Sequence, residues 1–289
     1  MARSTGIERP ATTDAVVRPT GRSNPLLNLG ARIGGDNLLR IGTFFGLLAA
    51  WEGIFRFLEL GNARRAGLLF TSPGRMFKTL QEMIADGTLV AAWSETLVVL
   101  VTALALAAIV GVTLGILLGR FRMASDLLEP ELTALFLTPR IALLPIIALW
   151  FGFGDTAKVV VVFLFGFFEI FFTVRNGVRN VEAEFIEVAR AYCIPERVML
   201  TKVVVPAALP YVATGLRLGL LHGMVGVVLV GFFLENNGIG GLLYNEAQDF
   251  RIAGLFAGLL SVALIGIVVN TTLSRVERRL APWRSGSAA

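Results

Sequence analysis

Six apolar runs, each close to the length of a bilayer crossing, constrain this chain more than any other feature. A helix needs roughly 20 apolar residues to cross the hydrocarbon layer, where every backbone N–H and C=O must find its partner within the protein. The runs fall at about 38–58, 93–119, 127–151, 157–174, 208–233 and 253–273. They predict an all-α integral membrane protein with about six transmembrane helices. The composition agrees, since 55% hydrophobic residues with only 16% charged ones is a combination soluble domains seldom show.

The runs are not equal. Glu52 and Arg56 interrupt the first, and their spacing of four lets them pair on one helix face. Pro139 and Pro145 sit in the third and predict a break, because proline removes an amide and frees backbone carbonyls. Residues 1–37 are polar and rich in Pro, Gly, Ser and Thr, without the apolar core of a signal peptide. They are expected to form a disordered cytosolic tail. Residues 38–283 are then the transmembrane domain, and 284–289 a short C-terminal tail.

The net charge of +5 does not point to nucleic acid, because the arginines flank apolar runs instead of forming one face. Basic residues are enriched on the cytoplasmic side of membrane proteins. Placing the N-terminus inside puts Arg3 to Arg40, Arg120 and Arg122, Arg175 to Lys202, and Arg275 to Arg284 in the cytosol, most of the 26 Lys and Arg. Both termini are therefore expected to be cytoplasmic, with 59–92 and 234–252 outside. Within 59–92, Thr71-Ser72-Pro73-Gly74 reads as a turn and helix start, followed by an amphipathic stretch to about Asp86. Glu235-Asn236-Asn237-Gly238-Ile239-Gly240-Gly241 reads as a turn-rich loop.

Catalytic constellations are missing. There is no Gly-x-x-x-x-Gly-Lys-Ser/Thr phosphate loop, so ATP binding by that cradle is not expected. Cys193 is the sole cysteine and has no histidine nearby in sequence, and His222 is the sole histidine. An intrachain disulfide and a multi-histidine metal site are excluded, and a nucleophile with its base is not found. The chain reads as non-catalytic, without a cofactor.

The polar segment between the fourth and fifth runs, about 181–206, carries the strongest motif. Phe185, Val188, Ala189 and Tyr192 fall at helical spacing, with Glu184, Glu187 and Arg190 pointing elsewhere. Pro195 suits the first turn of a second short helix, which Pro206 and Pro210 are expected to end. Two short helices at an angle would make a knob that fits a partner's groove. An ordinary interfacial linker is the other reading.

Glu187-Val188-Ala189, then Cys193, then Val203, Val205 and Pro206, resembles the Glu-Ala-Ala loop of binding-protein-dependent ABC importer permeases. The family pattern has its first alanine where this chain has Val188, and a glycine where it has Cys193. A cysteine does not cheaply take the left-handed conformation, so the sharpness of the bend there stays open. Further strings similar to the nitrate/sulfonate/taurine branch are Thr138-Pro139-Arg140-Ile141-Ala142-Leu143-Leu144-Pro145, Trp150-Phe151-Gly152-Phe153-Gly154, Gly215-Leu216-Arg217, Gly238-Ile239-Gly240 and Trp283. The resemblance covers roughly 70–283.

The resemblance implies a type I ABC importer permease fold in a bacterial inner membrane. It implies a second permease copy, two cytosolic ATPase subunits and an extracytoplasmic solute-binding protein as partners. Glu184, Glu187, Ala189, Arg190, Cys193, Pro195 and Pro206 would form the ATPase-docking loop. The solute implied is a small organic or inorganic anion such as a sulfonate, taurine, nitrate or a carboxylate. The alternative is a secondary transporter or channel working without ATP, which would need midplane ion ligands or repeats, and neither is found.

Ionisable groups within apolar runs are costly and usually face protein or a cavity. Arg140, Glu169, Arg217 and His222 qualify. Two readings stay open: a polar lining for the solute pathway, or structural pairing such as Glu169 with an arginine or His222. Gly215, Gly219, Gly223 and Gly226 form a stripe that permits close helix approach.

Overall fold

The computed structural model describes residues 39, 42–61, 70–181, 188–189, 191–234 and 237–280. The chain divides into two units, Met1–Ala50 and Trp51–Ala289. In the first, residues 42–50 are helical and mostly exposed, with Phe44 and Phe45 in edge contact at 5.6 Å.

The second unit opens with helical residues 51–61 (α1). Then come α2 Pro73–Ala85, α3 Thr88–Arg120, α4 Arg122–Leu137, α5 Leu144–Phe151 and α6 Asp155–Arg179. A long helix α7 runs Glu196–Gly231, followed by α8 Gly238–Gln248 and α9 Ile252–Leu280. Among the described residues, α3, α6, α7 and α9 are long and apolar enough to cross a membrane. The pair α4 and α5 is a further candidate, bent by 92°. The first expected run is helical from 42 onward, but Glu52, Arg56 and Glu59 set it apart in apolarity.

α6 is the central helix. Of its most apolar 18 residues 61% are buried, against 28% for α3 and 22% for α9, whose outer faces are left for lipid. Its neighbours approach it on glycine. A Cβ at Gly115 of α3 would lie 2.9 Å from the Val174 side chain, and one at Gly111 3.0 Å from Ile170. On the opposite side, a Cβ at Gly219 of α7 would lie 2.6 Å from Ile170 Cγ1 and 3.0 Å from the Gly166 carbonyl. Ile170 is thus fully buried between two stripes of small residues. Dispersion is the main attraction available between helices in lipid, so close backbone approach supplies the contact energy.

Helix α2 starts where the sequence places it. Ser72 caps it by accepting the Arg75 N–H at 3.2 Å, and Pro73 occupies the first turn, where no amide is missed. Asp86 follows its end and accepts the Thr88 N–H at 2.9 Å at the start of α3; that bond holds the carboxylate below its usual range.

Three expectations are corrected. The third run is broken at Pro139 as expected, since Thr138 before it is extended and the chain turns there, but Pro145 opens α5 instead of breaking it. Pro206 and Pro210 do not end the second loop helix. Leu200–Val204 forms a π turn, and α7 continues through both prolines to Gly231. The wide turn shifts the register in which the amide missing at Pro206 would be used.

The glycine-rich stretch from Gly238 is helix α8, not a loop. Its first amides are capped from α3, with Gly238 N–H donating to Glu95 Oε2 at 2.9 Å and Ile239 N–H to Thr96 Oγ1 at 2.8 Å. The glycines are there for contact: a Cβ at Gly231 would sit 2.6 Å from Gly240 Cα. Tertiary caps and close packing override the low helix propensity of glycine.

Candidate coupling loop and intramembrane charges

The loop helix ends in a bend that the backbone geometry defines. Val188, Ala189 and Ala191 are helical, Cys193 has φ 51°, and the Ile194 N–H donates to the Ala189 carbonyl at 3.1 Å. A left-handed residue followed by that six-to-one bond is the Schellman motif, which normally recruits glycine. The bend is as sharp as a glycine would make it: Cys193 takes the left-handed conformation. The strain costs on the order of 1 kcal/mol.

After the bend, the Pro195 carbonyl accepts the N–H of Val198 at 2.9 Å and of Met199 at 3.0 Å, starting α7. Arg120, in the last turn of α3, clamps this start. Its Nη2 lies 2.6 Å from Glu196 Oε1 and 3.2 Å from Met199 Sδ, and Met199 is buried. Arg120 was legible in sequence only as a charge flanking an apolar run.

The predicted apolar face of the loop helix divides in two. Ala189 is buried within the chain, whereas Val188 and Tyr192, one turn apart, are 57% and 79% exposed. Two apolar side chains displayed side by side on a polar projection suit a partner groove. Ala189 is not available to a partner, so a large residue there would disturb the loop itself. Cys193 is exposed. Glu184, Glu187 and Arg190 lie outside the described residues.

The structure brings three of the four intramembrane ionisable groups together. Arg140, at the bend between α4 and α5, places Nη2 3.4 Å from Glu169 Oε1 on α6. His222 on α7 places Nε2 3.7 Å from the same oxygen, and its Nδ1 lies 3.1 Å from the Leu218 carbonyl. The Arg140 guanidinium also faces the rings of Phe136, Phe165 and Phe168 at 5.0, 5.3 and 5.6 Å. One carboxylate thus serves two nitrogen groups at distances longer than a good charged hydrogen bond.

Arg217 sits apart from this group. Its Nε lies 3.2 Å from Glu277 Oε2 beyond the apolar stretch of α9, and Thr214 donates to the other oxygen at 2.5 Å.

A second polar knot escaped the sequence reading. Glu129 on α4 accepts from Arg175 and from Arg179 at 2.9 Å, both on α6, and Ser125 donates to it at 2.6 Å. Ser125 and Glu129 are one helical turn apart, which is the only local signal. The glycines 111, 115 and 119 were equally visible as a period of four. No group of three His, Cys, Asp or Glu side chains able to hold a metal occurs among the described residues.

Residues 111–285 match the family of binding-protein-dependent transport system inner membrane components. The chain belongs to the ABC importer permeases. Among its relatives is SsuC of Bacillus subtilis (strain 168), whose name places it in aliphatic sulfonates transport. It is 30% identical over 239 residues, covering 83% of this chain and 85% of the relative. The taurine transport system permease protein TauC of Escherichia coli (strain K12) is 27% identical over 250 residues, covering 85% and 89%. These relatives put the permease in the sulfonate/taurine/nitrate branch. The fold agrees with the MetNI methionine ABC transporter in an inward-facing crystal form, at TM-score 0.58 and 20% identity, over 66% of this chain and 95% of that one. The permease is therefore a multi-pass inner-membrane transport component of the type I importer fold, and such components are non-catalytic.

Proposed function

We propose that this permease forms, with a second copy, the pathway of an ATP-driven importer for a small anion, a sulfonate or a relative such as taurine, nitrate or a carboxylate. A solute-binding protein delivers the anion from outside, and two separate cytosolic subunits hydrolyse ATP. Both termini and the loop near 181–206 face the cytosol. ATP closes the ATPase pair, the loop follows, and the helices swing from inward-open to outward-open. The names of the sulfonate and taurine relatives support the solute class.

One observation carries the coupling role. Val188 and Tyr192 are displayed outward on a bend fixed by Cys193 and clamped to α3 through Arg120 and Glu196. Motion imposed on that projection would pass into α7 through the turn at Cys193 and the Arg120–Glu196 clamp. Glu184, Glu187 and Arg190 are proposed to take part in docking on the strength of the loop motif.

Arg140, Glu169 and His222 are proposed to line the pathway, with Arg140 offering charge to the anion as Glu169 is shared with His222. Arg217 offers it more weakly, being held by Glu277. The test is capture of the ATPase together with solute uptake in the same vesicles. Tyr192→Asp is expected to abolish both while insertion stays normal. Full capture and uptake in that variant would make the loop a linker.

A further inference from the structure

The corner where α3, α4 and α6 meet holds two adjoining cavities. A cavity of 370 Å³ opens there between Arg120, Arg122 and Arg179. A longer one of 600 Å³ continues from Arg179 along α4, past Ser125 and Pro130, to Ala134 and Leu137. The two share Asp126 and Arg179, so they form one groove with a charged head and an increasingly apolar tail.

The head favours an anion. Asp126 is the only carboxylate among the residues lining the first cavity, opposite three guanidinium groups. Arg120 is engaged by Glu196, and Arg122 meets Asp126 only at 4.0 Å with both side chains exposed. Glu129, at the start of the second cavity, is shared by Arg175 and Arg179, leaving one positive charge in excess. α4 also begins at Arg122 with no side chain capping its first turn, so its free amides add to the positive field.

The tail has the length of a lipid chain. Ser125 to Leu137 spans roughly 18 Å along a helix, and one leaflet of a ~30 Å hydrocarbon layer is roughly 15 Å deep. Leu137 is exposed at its far end. Basic pockets between transmembrane helices at the cytoplasmic surface suit anionic headgroups.

We infer that the groove between Arg120, Arg122 and Arg179 and along α4 is a binding site for one anionic phospholipid. The phosphate sits among the arginines and an acyl chain lies along Pro130 to Leu137. This rests on the chain spanning a bilayer and not on which solute it carries.

Full-length permease in detergent tests it. The protein is titrated with a phosphatidylglycerol, with a phosphatidylcholine of the same chains, and with glycerol 3-phosphate, following native mass spectra and Tm. Phosphatidylglycerol should bind preferentially and raise Tm, and glycerol 3-phosphate should do neither. Arg122→Gln, on an exposed side chain, should weaken phosphatidylglycerol about fivefold, the effect of one arginine near an anionic surface. Ala134→Trp, which fills the tail, should lower lipid retention at unchanged helicity. Equal binding of both lipids would overturn the site, as would unchanged affinity in both variants. Glycerol 3-phosphate binding as tightly as the lipid would also exclude an acyl-chain site. Loss of ATPase capture in Arg122→Gln with lipid binding intact would assign the corner to the partner instead.

Discussion

The α3–α6–α7 seam and the coupling loop are joined by the same helix, yet they are built on opposite terms. The seam buries Ile170 between glycines until a single Cβ would collide with backbone. The loop exposes Val188 and Tyr192, spends strain at Cys193, and is held to α3 by a half-exposed ion pair. The seam has its partners already. On the proposed reading another protein completes the loop, and a clamp that joins α3 to the start of α7 would transmit what that protein does.

If the seam is as tight as this, Gly219→Leu should be the most damaging change, costing about 3 kcal/mol or more from overpacking against Ile170 and Gly166. It should appear as lost Tm and poor yield of folded protein. The loop should answer differently. Val188→Asp should leave Tm unchanged but weaken ATPase capture by roughly thirtyfold, the scale of about 2 kcal/mol at an interface anchor. A Tm loss comparable to that of Gly219→Leu would show that Val188 packs within the chain.

Cys193→Gly should sharpen the contrast with a small gain. It relieves the left-handed strain while adding the chain entropy of glycine, for a net stabilisation of about 0.5 kcal/mol. Thermal unfolding of the two proteins would read it. Gly115 and Gly219 differ in kind, being limited by contact and not by backbone conformation.

The smallest effect lies in α8. Burial raises the Glu246 carboxyl above its usual value, with Arg251 at 3.2 Å opposing the shift. The folded protein then holds this proton more tightly than the unfolded chain. Its contribution favours folding at pH below the unfolded carboxyl range and is lost as pH rises through the raised value. Glu246→Gln should flatten that part of the Tm–pH profile; an unchanged slope would assign it to other groups.

Much of this was legible. Apolar run length located the long helices, because lipid leaves the backbone no other solution. Ser72-Pro73 located α2, since capping is a local interaction. The loop motif was visible from Glu187 to Pro206. What escaped depended on distant partners. Gly238-Ile239-Gly240-Gly241 looks like a loop until Glu95 and Thr96 cap it from α3. Pro206 looks like a stop until the π turn before it is seen. The pairing of Glu169 with Arg140 and His222 joins three helical elements, and residue identity alone does not select it among the available charges. Ala189 and Val188 are neighbours of similar apolarity, and only the packing tells which one a partner can reach.

The coupling claim is tested most directly by photo-crosslinking in membrane vesicles that import solute. A photoreactive residue at position 192 should capture the ATPase subunit in high yield, in a manner sensitive to ATP. The same residue at position 109, exposed in the middle of α3, should capture lipid and no ATPase. Crosslinking to the ATPase from neither position, or equally from both, would contradict the assignment of the Val188–Tyr192 projection as the docking element.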